Sequence, residues 1–83
     1  MAHPVNQSDP KKQFGETLRA VRLGVGVSQE ELAHRAELDR TYVSSCERGK
    51  RNVSLETIVK LADALGVPPS ALLSGLDRSR GDR

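Results

Sequence analysis

Residues 28 to 51, SQEELAHRAELDRTYVSSCERGKR, constrain the fold more than any other part of this chain. Ser28 is followed three residues later by Glu31, which is the pattern of a capping box at the start of a helix. In such a box the Ser28 hydroxyl accepts from the backbone N–H of Glu31, and the Glu31 carboxylate reaches back to the cap. The apolar residues that follow recur at helical spacing: Leu32, Ala33 and Ala36. The pattern therefore predicts a helix over residues 28–36.

A second short helix is predicted over residues 40–48. Asp39 is its N-cap candidate, and Val43 and Cys46 face inward at i and i+3. Gly49 supplies the positive-φ residue that ends it. Two helices joined by about three residues have the geometry of a helix-turn-helix, which places its second helix in the DNA major groove.

Three further helices are predicted around this pair. The first runs over residues 11–23, before Gly24 and Gly26, with one apolar face: Phe14, Leu18, Val21 and Val25. The fourth runs over residues 55–65 after a Ser54 cap, with its own buried stripe: Ile58, Leu61, Ala62 and Leu65. A short fifth helix begins at Pro68-Pro69-Ser70, because proline suits a first helical turn.

The sequence contains no strand pattern, so the predicted fold class is all-α. Residues 1–10 are polar and proline-bracketed and are expected to be a flexible arm. Residues 11–76 form the single predicted domain, and residues 77–83 are expected to be a disordered tail.

Composition narrows the class of protein. Aromatic residues make up only 2% of the 83 residues, so the core must be aliphatic. A single cysteine excludes an intrachain disulfide and fits a reducing compartment, so a cytoplasmic location is expected. The N-terminus has no apolar stretch typical of a signal peptide, and no run of about twenty apolar residues predicts a membrane span. The net charge of the chain is only +2, but residues 40–51 contain four basic residues and one acidic residue. The positive excess therefore lies on the second helix of the predicted motif and on the residues that follow it.

The chain resembles the Cro/repressor-type (Xre-like) helix-turn-helix domain of phage repressors and small bacterial regulators. The resemblance extends over about residues 14–76 and is carried by four motifs: Ser28-Gln29, Leu32-Ala33, Glu47-Arg48-Gly49 and Leu61-Ala62-x-x-Leu65-Gly66. A second resemblance, to the controller proteins of restriction–modification systems, is carried by the run DRTYVS at residues 39–44 and by Arg51-Asn52. Both imply a compact five-helix bundle of the lambda-repressor-like DNA-binding type, with the helix-turn-helix at helices two and three.

In such domains the second helix of the motif presents its first turns to the bases. Four residues on its predicted outward face are base-contacting candidates: Arg40, Thr41, Ser44 and Ser45. Arg40 is the leading candidate, because a guanidinium can donate twice to guanine O6 and N7.

Six other residues are candidates for contacts to the DNA backbone: Ser28, Gln29, Tyr42, Lys50, Arg51 and Asn52. Gln29 lies where a side chain and the free N–H groups of a helix terminus can hold a phosphate. Tyr42 either touches DNA or lies along the surface of helix two, and Arg51 either meets a phosphate or reaches a base. The resemblance also implies a structural ion pair between Arg22 and Glu47, which would set the tilt of the reading helix.

Three leucines near the end of the domain exceed what a small core readily covers, and they are predicted to form a subunit interface, with ordinary core as the alternative: Leu72, Leu73 and Leu76. His34 is expected to be exposed and solvated, since the sequence offers no companion ligand for a metal. Cys46 is expected to be a small buried hydrophobe, with a thiol switch as the alternative.

These features predict a sequence-specific transcriptional regulator that binds a near-palindromic operator in double-stranded DNA as a homodimer. The alternative is a protein-interaction module of the same fold, such as an antitoxin or a scaffold. The sequence contains no arrangement of residues typical of an enzyme, and no metal, cofactor or small-molecule ligand is predicted.

Overall fold

The computed structural model describes residues 9–77, which form five α-helices and no strand. A 3-10 turn, Ser74–Leu76, closes the described chain. The helices are these: α1 Pro10–Val25, α2 Gln29–Ala36, α3 Arg40–Glu47, α4 Leu55–Leu65 and α5 Pro69–Leu73. Most of the predicted arm and tail, residues 1–8 and 78–83, lies outside the described residues.

Helix α1 begins at Pro10, so the last two residues assigned to the arm belong to a helix start. The side chain of Asp9 accepts from the backbone N–H of Lys11 at 3.0 Å and caps the helix. Proline fits this first helical position because its missing N–H would have no partner there.

The core is aliphatic, with one aromatic ring, and every helix contributes to it. The apolar stripes predicted for α2, α3 and α4 are buried, as are Phe14 and Leu18 of α1. The prediction was wrong for Val25, which is 42% exposed. Gly26 ends α1 with φ 91°, and Val27, just after this cap, packs against the core.

Leu72 was predicted to lie in a subunit interface, and this placement is wrong. Its side chain is fully buried in the core of the chain itself. The short helix α5 packs against both α1 and α4, so Leu72 is enclosed between them. Leu73 and Leu76 are half-buried and border a shallow groove beside Phe14.

Only one of the two hydrogen bonds of the predicted capping box forms at the start of α2. The Ser28 hydroxyl accepts from the backbone N–H of Glu31 at 2.9 Å, as expected. The Glu31 carboxylate instead accepts from Arg35 one turn further along the helix, also at 2.9 Å. Arg35 additionally donates to the carbonyl of Ala64, which links α2 to the end of α4.

The turn between α2 and α3 contains a strained residue. Glu37 adopts φ 58° and ψ 45°, the left-handed conformation that side chains other than glycine rarely occupy. Its backbone N–H reaches back to the carbonyls of Ala33 and His34 and closes the helix. Asp39 then caps α3 by accepting from the N–H of Thr41 at 3.2 Å.

Helices α1 and α3 approach closely because residue 15 is glycine. A Cβ at Gly15 would overlap the Cys46 carbonyl oxygen and would lie 2.7 Å from that of Glu47. Since both atoms belong to helix backbone, no side-chain movement could relieve the overlap. Gly15 therefore sets the distance at which α1 supports α3.

Candidate nucleic-acid interface

The outward face of α3 carries a row of polar side chains. Arg40 and Thr41 are exposed in its first turn, and Ser44 is half-buried one turn later. Arg48, which follows the helix, donates to the Ser44 hydroxyl and extends the same row. Arg40 makes no hydrogen bond or ion pair with any residue between 9 and 77, so its guanidinium is available to another molecule. Val43 and Cys46 hold the opposite face of α3 in the core.

Ser45 was predicted on this outward face, and this placement is wrong. Its residue is only 7% exposed. The Ser45 hydroxyl donates to the carbonyl of Tyr42 at 2.8 Å and accepts from Nε of Arg51 at 2.9 Å. The helical period explains the difference, because Ser45 lies three residues after Tyr42 and shares its side of α3, which packs against the protein and is covered by Arg51.

Tyr42 is half-buried against the core, and Arg51 lies over its ring with the guanidinium carbon 5.0 Å from the ring centroid. Burial raises the pKa of Tyr42, with Cys46 adding to the rise and Thr57 of α4 and Arg51 opposing it. Burial also raises the pKa of the Cys46 thiol, while Tyr42 and Arg51 oppose that rise. The polar neighbours of Tyr42 therefore lie on α4 and on the loop after α3, and Cys46 is held as a neutral thiol.

An ion pair joins α1 to the end of α3. Arg22 donates from Nε to Oε2 of Glu47 at 2.6 Å and from Nη2 to Oε1 at 3.0 Å. Its third nitrogen, Nη1, donates to the carbonyl of Val27 at 3.0 Å. The hydrogen bond with Glu47 raises the pKa of Arg22 despite burial, so the arginine stays charged.

Gln29 at the start of α2 is drawn into the same cluster. Its side-chain nitrogen donates to Oε1 of Glu47 at 3.0 Å. One of its two amide hydrogens is therefore engaged within the protein, and the other remains for an outside acceptor. The bond also brings the N-terminus of α2 beside the C-terminal end of α3, where Arg48 and Lys50 follow.

The loop after α3 is positively charged, and its three polar residues are exposed: Lys50, Arg51 and Asn52. Gly49 begins the loop with φ 76°, and a Cβ there would lie 2.7 Å from Cγ of Lys12. Lys12 is exposed, and its neighbour Lys11 borders the same groove as Arg51. Sequence reasoning missed these two lysines, because only the close packing of α1 on Gly49 brings them to the loop.

Other kinds of site have little support in the described part of the chain. Residues 9–77 contain no group of three or more His, Cys, Asp or Glu side chains placed to hold a metal ion. His34 is exposed on α2. No helix in this range is long and apolar enough to cross a membrane.

A family model described as helix-turn-helix matches residues 18–72. This range contains α2, α3 and α4 complete and most of the polar surface described above. The chain belongs to the helix-turn-helix family. The three residues of the Arg22, Gln29 and Glu47 cluster all lie within the matched range.

Relatives of the chain include regulators of restriction–modification systems. It is 52% identical over 61 residues to control protein C.BamHI of Bacillus amyloliquefaciens, covering 72% of this chain and 75% of that protein. It is 43% identical over 72 residues to control protein C.MunI of a Mycoplasma species, covering 86% and 97%. The crystal structure of controller protein C.AhdI from Aeromonas hydrophila superposes with a TM-score of 0.72 at 52% identity, covering 74% of this chain and 92% of that one.

These comparisons confirm the predicted resemblance, the all-helical fold and the general function. The family consists of DNA-binding transcriptional regulators, and its members are not enzymes. The chain is accordingly a helix-turn-helix DNA-binding regulator. Its closely packed α2 and α3 are the helix-turn-helix motif.

Proposed function

We propose that this protein regulates transcription as a homodimer that binds a near-palindromic operator through the major groove. One α3 helix reaches only a few base pairs, so a single protomer has little sequence information to read. Two protomers related by a two-fold axis double the contacts and require half-sites whose centres lie about 34 Å apart. The observation that carries the proposal is the outward row on α3, with Arg40 exposed at its start and without a hydrogen bond or ion pair to any of residues 9–77.

Base recognition is assigned to Arg40, Thr41 and Ser44. Arg40 is free to donate twice to guanine, which is the commonest specific contact in the major groove. Thr41 offers a methyl group to thymine, while its hydroxyl donates to Oδ1 of Asp39, the N-cap residue, at 3.1 Å. Ser44 is short, so the helix can approach the base edges closely. Ser45 has no place in this set, because its hydroxyl is used inside the protein.

Contacts to phosphates are assigned to both flanks of α3. The N-terminus of α2, with Ser28 and the second amide hydrogen of Gln29, supplies one flank. The loop after α3 supplies the other flank, with Lys50, Arg51 and Asn52. Lys11 and Lys12 enlarge that basic surface. These contacts would set the affinity and make it fall steeply with salt concentration.

The homodimer interface is assigned to α4 and not to Leu72. Leu55 is 76% exposed and Val59 is 45% exposed, and they lie one turn apart on the same face of α4. Exposed apolar side chains grouped on a charged protein typically mark a partner surface. Leu73 and Leu76 remain candidates for a subunit contact, since both border an open groove beside Phe14.

A role as the controller protein of a restriction–modification system is the biological setting that we propose. C.BamHI, C.MunI and C.AhdI support it through their identity with this chain and through the large share of each that the match covers. A regulator of this kind acts where the DNA is, so we propose a cytoplasmic location. We propose that it needs no small-molecule ligand and is controlled by its own concentration.

Selection of bound sites from a random duplex pool, followed by gel shifts, tests this function. The wild-type protein should enrich one near-palindromic sequence and bind it at moderate salt more tightly than random duplex. Arg40→Ala should weaken binding to the selected duplex by about 1–3 kcal/mol for each guanine that the arginine reads, and should weaken binding to random duplex much less.

Two results would contradict the assignment. Equal losses on both duplexes would make Arg40 a phosphate contact. Failure of every duplex to bind would favour the alternative of a protein-interaction module. Arg35→Ala, which removes an exposed arginine on α2 that pairs with Glu31, is the matched control and should leave both affinities unchanged.

A further inference from the structure

Arg51 is held in place by two contacts within the protein. Its Nε donates to the hydroxyl oxygen of Ser45 at 2.9 Å, and its guanidinium carbon lies 5.0 Å from the centroid of the Tyr42 ring. Ser45 is itself fixed, because its own hydroxyl proton goes to the carbonyl of Tyr42 at 2.8 Å. With the residue only 7% exposed, the Ser45 oxygen has little access to solvent.

These contacts leave one edge of the guanidinium free. A guanidinium has five N–H donors in a planar fork, one on Nε and two on each terminal nitrogen. Because the Nε donor is used by Ser45, Arg51 cannot make a side-on contact that pairs Nε with one terminal nitrogen. Only the end-on pair, Nη1 and Nη2, remains for an outside acceptor, and Arg51 is exposed to solvent.

We infer that Ser45 is a positioning residue that fixes Arg51 for end-on donation to two neighbouring acceptors on duplex DNA. The acceptors are either the O6 and N7 atoms of guanine or two phosphate oxygens, since both sets match the fork. Holding the side chain in advance lowers the conformational entropy lost on binding. This inference rests on the proposed function, because it requires Arg51 to contact DNA.

Nitrogen-15 NMR of the DNA-free protein tests whether the Ser45 hydroxyl holds Arg51 in solution. In the wild type, the Arg51 Nε–H resonance should exchange with water more slowly than that of Arg40, which has no hydrogen-bond partner within the described part of the chain. In Ser45→Ala, the Arg51 resonance should exchange as fast as that of Arg40. An Arg51 resonance that already exchanges like Arg40 in the wild type would overturn the inference, even if the variant failed to fold.

A double-mutant cycle tests whether Ser45 acts through Arg51 in binding. Ser45→Ala should weaken binding to the selected duplex about five-fold in the wild-type background, as expected for loss of one hydrogen bond. In the Arg51→Ala background the same change should have less than about a two-fold effect. Equal effects in the two backgrounds would overturn the inference, because Ser45 would then act through the fold in general.

The two duplexes identify the acceptor. An Arg51→Ala loss that is much larger on the selected duplex than on random duplex indicates guanine, and equal losses indicate phosphate. Either result supports end-on donation, provided that the effects of Ser45→Ala and Arg51→Ala in the double-mutant cycle are not additive. Failure of the wild-type protein to bind any duplex would reject the proposed function. The NMR measurement would still decide whether Ser45 holds Arg51.

Discussion

Arg22 on α1 donates hydrogen bonds to both carboxylate oxygens of Glu47 at the end of α3, with N–O distances of 2.6 and 3.0 Å. The Arg22 and Glu47 side chains are only 9% and 4% exposed. Two charges buried to this extent compensate each other, because water cannot solvate either charge if the other is removed. The pair therefore ties the end of α3 to α1, close to the point where Gly15 allows the two helix backbones to approach.

Removal of one partner should destabilise the fold strongly. Glu47→Ala leaves the Arg22 charge buried without compensation, and we expect a loss of about 3–5 kcal/mol in the free energy of unfolding. Urea denaturation followed by circular dichroism measures this loss. Glu31→Ala removes the exposed partner of Arg35 and should cost less than about 1 kcal/mol. Similar losses in both variants would mean that the buried pair contributes no more than a surface pair.

Relief of backbone strain should stabilise the turn before α3. Glu37 holds φ at 58°, which costs a side chain about 1–2 kcal/mol relative to glycine. Glycine also gives the unfolded chain more freedom, which offsets about 0.4–1 kcal/mol of this gain. We expect Glu37→Gly to raise the free energy of unfolding by about 0.5 kcal/mol. His34→Gly, in the helical part of α2, should lower it, and a loss in both variants would contradict the strain argument.

The Cys46 thiol should be unreactive in the native protein. Burial raises its pKa above the ordinary 9.0, so the thiolate that reacts is scarce and shielded. We expect Ellman's reagent at about pH 8 to modify the native protein at least about ten-fold more slowly than the urea-unfolded protein. Equal rates would show that the thiol is accessible, and would favour the thiol switch.

The same raised pKa predicts alkaline destabilisation. Below the unfolded-state pKa both states keep the Cys46 proton, and stability does not depend on this group. As pH rises above it, the unfolded state releases the proton while the native state retains it, so the free energy of unfolding falls. Tyr42, whose pKa is also raised, should steepen the fall above pH 10.0. Urea denaturation at increasing pH measures it, and Cys46→Ala should show a shallower slope.

Lys12 should contribute to DNA binding through charge alone. Its stem lies against Gly49, beside the basic loop after α3. Lys12→Ala should weaken binding to selected and random duplexes alike and reduce the slope of log K against log salt by about 0.9 for each phosphate that the lysine neutralises. Arg35→Ala removes a charge beside Ala64 at the end of α4 and should leave the slope unchanged. A loss confined to the selected duplex would instead make Lys12 a base contact.

Charge on the exposed face of α4 should separate the homodimer into folded monomers. Leu55→Asp with Val59→Glu places acidic residues where two apolar surfaces would meet, and an acidic residue in the first turn of a helix is favourable in itself. Sedimentation should report the mass of one chain, with helical circular dichroism retained. Leu23→Glu, at a leucine 55% exposed on α1, should leave the dimer intact. An unchanged mass for the α4 variant would move the interface elsewhere.

Leu72→Asp is expected to behave differently from the α4 variant. It would place a carboxylate in the core, where a charge has no partner, and the chain should unfold instead of forming a stable monomer. A folded monomer from this variant would restore the interface that was predicted from the sequence.

Local patterns predicted the helices because helices are built from local interactions. The caps at Ser28, Asp39 and Ser54 follow from side chains that reach a backbone N–H two or three residues away. The buried stripes of α2, α3 and α4 follow from a 3.6-residue period that depends on no other part of the chain. The family resemblance added what local patterns could not supply, namely the expected partnership of Arg22 and Glu47 across 25 residues of sequence.

The sequence alone therefore determined the helices, most of their inward faces and the family to which the chain belongs, because each of these depends on residue type and spacing. The tertiary structure alone decided the surroundings of each side chain. It buried Leu72 between α1 and α4, left Val25 and Leu55 in solvent, turned Ser45 inward to hold Arg51, and brought Lys12 to the loop after α3. The physical reason is that burial and side-chain pairing depend on how helices pack, and packing joins residues whose separation along the chain no local pattern records.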